Sequence, residues 1–135
     1  MQTSKVVYLG NLRTEATHIR SGSHFITDAP VDNKGKGEAF SPTDLTATSL
    51  ATCIITTMAI AAEGRSINIE SAEAEVLKVM EANPRRIGEI QVDIKIKMVP
   101  DNAGNRELLE DIGLHCPVAR SLHPDLKQTI TFNYI

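Results

Sequence analysis

A chain of 135 residues, 41% hydrophobic and 23% charged, has the length and composition of one ordinary globular domain. Its formal net charge of −3 offers no basic footprint for nucleic acid. Two cysteines are too few for a disulfide scaffold, and no basic stretch followed by an apolar core opens the chain, so the expectation is a cytoplasmic protein with reactive or buried thiols.

Val6-Val7-Tyr8-Leu9 is β-prone and ends at Gly10-Asn11. Ala16 to Arg20 follows, then the turn pair Ser21-Gly22, then His24 to Thr27. These runs predict an antiparallel meander, stopped by Asp28-Ala29-Pro30. Asp32 to Gly37 is polar and glycine-rich and reads as a loop. Gly35 and Gly37 lack the spacing and the following Lys-Ser/Thr of a phosphate loop, which argues against nucleotide binding.

The stretch from Phe40 to Gly64 organises the chain. Ser41 reads as a helix N-cap, and Pro42 fits the first helical position, where it has no donor to lose. Asp44 stands three residues after Ser41, close to a capping box, at the positive end of the helix dipole. No charge occurs from Leu45 to Ala62, and Gly64 is a C-terminal stop. A helix of this length spans about 33 Å at about 1.5 Å per residue. It reaches the lower limit of a membrane span, but Thr46, Thr48, Thr52, Thr56, Thr57 and Ser49 lie within it and no Trp or Tyr flanks it. The expectation is a buried core helix with no membrane partner. With few aromatics, one small protomer can hardly surround it, which favours an oligomer.

Beyond Gly64, apolar positions alternate from Ile67 to Val76 with a slip at Glu70-Ser71, the sign of a bulge. Asn83-Pro84-Arg85-Arg86 is a turn, and Gly88 to Met98 alternates without a break, Ile90, Val92, Ile94, Ile96 and Met98 facing one way. Helices are predicted over Asn105 to Leu114 and Pro117 to Leu122, and a last strand over Thr129 to Tyr134. Strand runs separated from helices argue an α+β fold with antiparallel sheets around the long helix, in a single domain over 1–135.

Chemistry centres on Cys53, in the middle of the long helix, and Cys116, just before Pro117. Cys116 sits at a helix start, where backbone donors favour a thiolate, whereas Cys53 lacks that help and would need a cation brought from elsewhere. Either thiol can equally be a small buried hydrophobe. Arg20 beside the Ser21-Gly22 turn, His18, His115, Glu38 and Asp44 are the candidate tuning groups. Cys53, Cys116, His18 and His115 match no zinc spacing, so no metal is expected. His115 could pair with a cysteine as in a hydrolase, but no nucleophile elbow is present.

Ser41-Pro42-Thr43-Asp44-Leu45, then Ala51-Thr52-Cys53, then Cys116-Pro117-Val118-Ala119 resembles the OsmC/Ohr family, the osmotically inducible and organic-hydroperoxide-resistance proteins. Thr27-Asp28-Ala29-Pro30, Gly35-Lys36-Gly37-Glu38 and the final strand extend the match, which is nearest the OsmC-like branch. The resemblance implies an intertwined α+β homodimer with the long helices at its centre. It implies a cofactor-free peroxidase in which Cys53 attacks the peroxide, Cys116 resolves the sulfenic acid as a disulfide, and an external dithiol reduces it. It implies an arginine from the N-terminal strands beside Cys53, aligned here with Arg20. It also implies a glutamate after the helix proline to hold that arginine. This chain has Thr43 there, and Glu38 is the carboxylate that could substitute. A dimer that keeps the fold but only binds a small ligand is the alternative.

Overall fold

The computed structural model describes all residues, Met1 to Ile135, in two compact units, Met1–Thr46 and Ala47–Ile135. The first unit is the expected meander. Strands β1 (Ser4–Gly10), β2 (Arg13–His18) and β3 (His24–Asp28) pair antiparallel in the order β1-β2-β3. The second strand stops at His18, earlier than its composition suggests. The chain turns there, with the Gly22 N–H donating to the His18 carbonyl and the His18 N–H to Ser23. Arg20 therefore lies in an exposed turn and does not end a strand. After β3 a single 3-10 turn, Val31–Asn33, leads through the glycine-rich loop to the helix.

Helix α1 runs Pro42–Glu63, as its cap residues predict. The Ser41 N–H donates to Asp44 Oδ2 at 2.9 Å, and the Asp44 N–H donates to Ser41 Oγ at 3.1 Å. This reciprocal pair satisfies two backbone donors at the helix start. Ser41 is buried, so losing its hydroxyl would leave a donor unpaired there.

The second unit holds the hydrophobic core. Strands β4 (Asn68–Glu81), β5 (Arg86–Val99) and β6 (Lys127–Tyr134) form a sheet in that order. The register between β4 and β5 shifts between Ile69 and Ser71, where the apolar pattern slips. Ile90, Val92, Ile94, Ile96 and Met98 are all buried and meet Leu50, Ile54 and Met58 of α1. The alternation read from the sequence is thus one face of β5 packed on one face of α1.

Two expectations need correction. The sheet is mixed, because β6 pairs parallel to β5, from Glu89 opposite Lys127 to Ile96 opposite Tyr134. A parallel pair needs a crossover, and helices α2 (Ala103–Leu114) and α3 (Pro117–Ser121) supply it. Nor does the chain bury α1 all round. Ala47, Leu50, Ala51, Ile54, Met58, Ala61 and Ala62 are covered, while Thr46, Thr52, Thr56 and Ile60 are exposed. An uncharged helix carries no polar stripe to mark which face is packed.

Helix α2 lies close on α1 through Gly113. A Cβ there would fall 2.9 Å from Met58 Cγ and 3.1 Å from Ile54 Cγ2. The Tyr134 hydroxyl, at the end of β6, donates to Glu110 of α2, and the Arg106 guanidinium stacks 4.2 Å from the Tyr134 ring centre. These contacts fix the crossover that carries Cys116.

Candidate active site

Cys53 and Cys116 come together in the second unit. Cys53 stands at the border of the packed and exposed faces of α1 and is half-buried, while Cys116, the N-cap of α3, is fully buried. Both are free thiols. Cys53 Sγ lies 3.9 Å from Thr57 Oγ1, one turn along α1.

The two thiols are pushed in opposite directions. Burial raises the Cys53 pKa, but hydrogen bonds from the Val118 N–H, the Cys116 thiol and the Thr57 hydroxyl outweigh it and leave it below the usual thiol value. Burial is also the main influence on Cys116, and the neighbouring Cys53 thiolate reinforces it against the Ala119 and Val118 N–H groups, so its pKa is raised. Cys53 is therefore the better thiolate and Cys116 the proton-bearing partner that stabilises it. Helix position alone favours Cys116. The structure aims a backbone donor from the start of α3 at Cys53, so the helix-start advantage reaches a residue in the middle of another helix.

Next to the thiols, Thr57, Asp111, Ile112, His115 and Arg120 line a depression of about 430 Å³. His115 Nδ1 donates to the Asp111 carbonyl at 2.7 Å, and Arg120 Nε donates to the His115 carbonyl at 2.7 Å. His115 thus caps its own helix, and a cysteine–histidine pair is not what this geometry builds. No three of His, Cys, Asp and Glu converge on a point where they could hold a metal ion.

The first unit contains a separate charged cluster. Arg13 Nη2 meets Glu38 Oε2 at 2.9 Å and Asp28 Oδ2 at 3.5 Å. Asp28 also accepts the Glu38 N–H at 3.0 Å. These contacts keep Arg13 charged, Asp28 contributing most and Glu38 next. Glu38 therefore pairs with Arg13 and not with Arg20. Arg20 makes no side-chain hydrogen bond or ion pair within the chain. Asp44 is occupied in the helix cap, and Thr43 brings a hydroxyl 3.2 Å from Ser41 Oγ where a carboxylate could have stood. The sequence does hold a signal for Arg13. A hairpin that turns at Ser21-Gly22 sets Arg13 directly opposite Asp28, a cross-strand pair of opposite charges.

A family model described as OsmC-like protein matches residues 35–131. Among solved structures, one from Psychrobacter arcticus, provisionally named an osmotic stress induced and detoxification response protein, superposes with a TM-score of 0.92. It is 48% identical, over 98% of this chain and 96% of its own. An organic hydroperoxide resistance protein OsmC from Legionella pneumophila is 16% identical over 98% of each chain, with a TM-score of 0.73. One from Elizabethkingia anophelis is 13% identical over 100% of this chain and 98% of its own, at 0.71. These last two share the fold. No curated protein matches the sequence.

Proposed function

Because this chain belongs to the OsmC-like family, we propose that it is a thiol peroxidase acting on organic hydroperoxides or hydrogen peroxide. The observation that carries the reading is the opposed tuning of Cys53 and Cys116. The Cys53 thiolate attacks the terminal peroxide oxygen, the O–O bond breaks, and the leaving alkoxide or hydroxide takes a proton. Cys53 is left as a sulfenic acid. Cys116 then attacks the Cys53 sulfur, water departs with the sulfenic oxygen, and a disulfide forms. An external dithiol returns both thiols by exchange. No cofactor enters the cycle.

One further assignment completes the reading. The protein works as a homodimer in the cytoplasm. The first unit buries no apolar side chain, and Val6, Tyr8, Phe25 and Phe40 are each about half exposed or more, so its sheet has the surface of an element awaiting a partner.

The test is mass measurement of the reduced protein after reaction with cumene hydroperoxide and, separately, hydrogen peroxide. Wild type is expected to lose two hydrogens as an intramolecular disulfide. Cys53→Ser should consume no peroxide, and Cys116→Ser should turn over once and stop at a trapped sulfenic acid. If Cys116→Ser abolishes the first oxidation, the roles are reversed. If neither thiol reacts, the chain is a ligand-binding dimer and not an enzyme.

A further inference from the structure

The thiol cycle draws on two sulfurs, a hydroxyl and backbone donors. None of its steps uses Arg120, yet this side chain lines the depression of about 430 Å³ beside Cys53. Thr57 joins the two, since it lines the depression and its Oγ1 lies 3.9 Å from Cys53 Sγ. All of these residues belong to the second unit. A volume of this size holds a small organic molecule. Its lining is of two kinds. Ile112 offers a half-buried apolar surface, while Asp111, His115 and Arg120 are exposed and polar.

The Arg120 side chain is held at one atom. Its Nε donates to the His115 carbonyl at 2.7 Å, and its backbone N–H donates to the Cys116 carbonyl at 3.1 Å. These two bonds tie Arg120 to the turn that carries Cys116. Its Nη1 and Nη2 donors make no hydrogen bond or ion pair within the chain. Two N–H groups on a planar, permanently charged fork match the two oxygens of a carboxylate. The His115 imidazole is engaged elsewhere, its Nδ1 lying 2.7 Å from the Asp111 carbonyl. The Asp111 carboxylate lies 3.6 Å from the same nitrogen, and its side chain is 76% exposed. One guanidinium beside one carboxylate leaves a rim of low net charge, which suits a singly charged anion better than a phosphate.

We propose that this depression binds acidic organic hydroperoxides, with the apolar body of the substrate against Ile112 and its carboxylate on the Arg120 fork. This rests on the reading of Cys53 as the thiol that attacks peroxide. Arg120 selects which peroxide is delivered, and the sulfur chemistry is the same for all of them.

The experiment compares cumene hydroperoxide with its para-carboxylate, two substrates alike except for charge, on reduced Cys116→Ser protein at low salt. The quantity read is the ratio of their rates of Cys53 oxidation, in which the reactivity of the thiol itself cancels. The carboxylate is expected to react about tenfold faster. That preference should fall at high salt and in Arg120→Gln, and it should rise in Asp111→Asn, which removes the competing negative charge. A ratio near one before Arg120 is replaced overturns the proposal, as does a ratio that Arg120→Gln leaves unchanged. Should Arg120→Gln fail to fold by circular dichroism, an unchanged ratio in Asp111→Asn overturns it instead. A second arm needs no peroxide chemistry. The carboxylate para-isopropylbenzoate should slow Cys53 alkylation by iodoacetamide more than the neutral para-isopropylbenzamide does, and Arg120→Gln should abolish the difference. If neither peroxide oxidises Cys53, the peroxidase reading fails, and this arm still decides the site. Protection that depends on Arg120 upholds the carboxylate site, and equal protection by the two compounds overturns it.

Discussion

A thiol in an apolar helix is ordinarily inert, because desolvation raises its pKa above the usual value of about 8.5. Cys53 escapes that outcome through hydrogen bonds, and the Val118 N–H is the foremost of them. That donor can be deleted, since proline fits the first turn of a helix. Val118→Pro is expected to raise the Cys53 pKa by about one unit with α3 retained, read by thiolate absorbance near 240 nm in a Cys116→Ser background. An unchanged titration would mean that the donor contributes nothing to the thiolate. The sign of the pH dependence follows from the same shifts. Cys53 alkylation should rise through a pH range below that of a free thiol, and Cys116 should stay unmodified until pH exceeds it.

Elements, more than residues, decide how much of this molecule its sequence reveals. Helix α1 is legible to its first residue because Ser41, Pro42 and Asp44 spell a capping motif whose hydrogen bonds the structure makes. Strand β5 is legible because one of its faces is solvated, so its apolar residues alternate. The parallel pairing of β6 is not, since a strand's own pattern does not say which way its neighbour runs. The site divides along the same line. The two cysteines stand out as residues, but the donor from Val118 is a backbone group and leaves no mark in the sequence. Arg20 falls outside β2 because the strand ends two residues sooner than its residues imply. The crossover that carries Cys116 gives this scale its own test. Gly113 allows α2 to approach Met58 and Ile54, and Gly113→Ala should destabilise the protein by about 1–3 kcal/mol, measured by urea denaturation. The same variant should slow disulfide formation after peroxide oxidation, because Cys116 follows α2 by two residues. Wild-type stability would show that Met58 moves aside at no cost.

At the scale of the molecule, the single chain leaves large apolar side chains exposed on both of its units. Ile60 on the outer face of α1 is 68% exposed and Tyr8 of β1 is 65% exposed. We therefore predict a mass by light scattering of twice 14.7 kDa at micromolar concentration. A stable species at 14.7 kDa would rule out the dimer. Replacing Ile60 by Glu should weaken association without touching the packed face of α1, and sedimentation would show it. The proposed division of labour between the thiols, in which Cys53 meets the peroxide and Cys116 closes the cycle, can be tested without the assembly. Stopped-flow mixing of reduced Cys116→Ser protein with cumene hydroperoxide, with Cys53 oxidation followed by a sulfenic-acid probe and mass, tests it directly. The expected result is one rapid equivalent of peroxide consumed and one oxygen added at Cys53. No oxidation of Cys53, with peroxide consumed only when Cys116 is present, would contradict it.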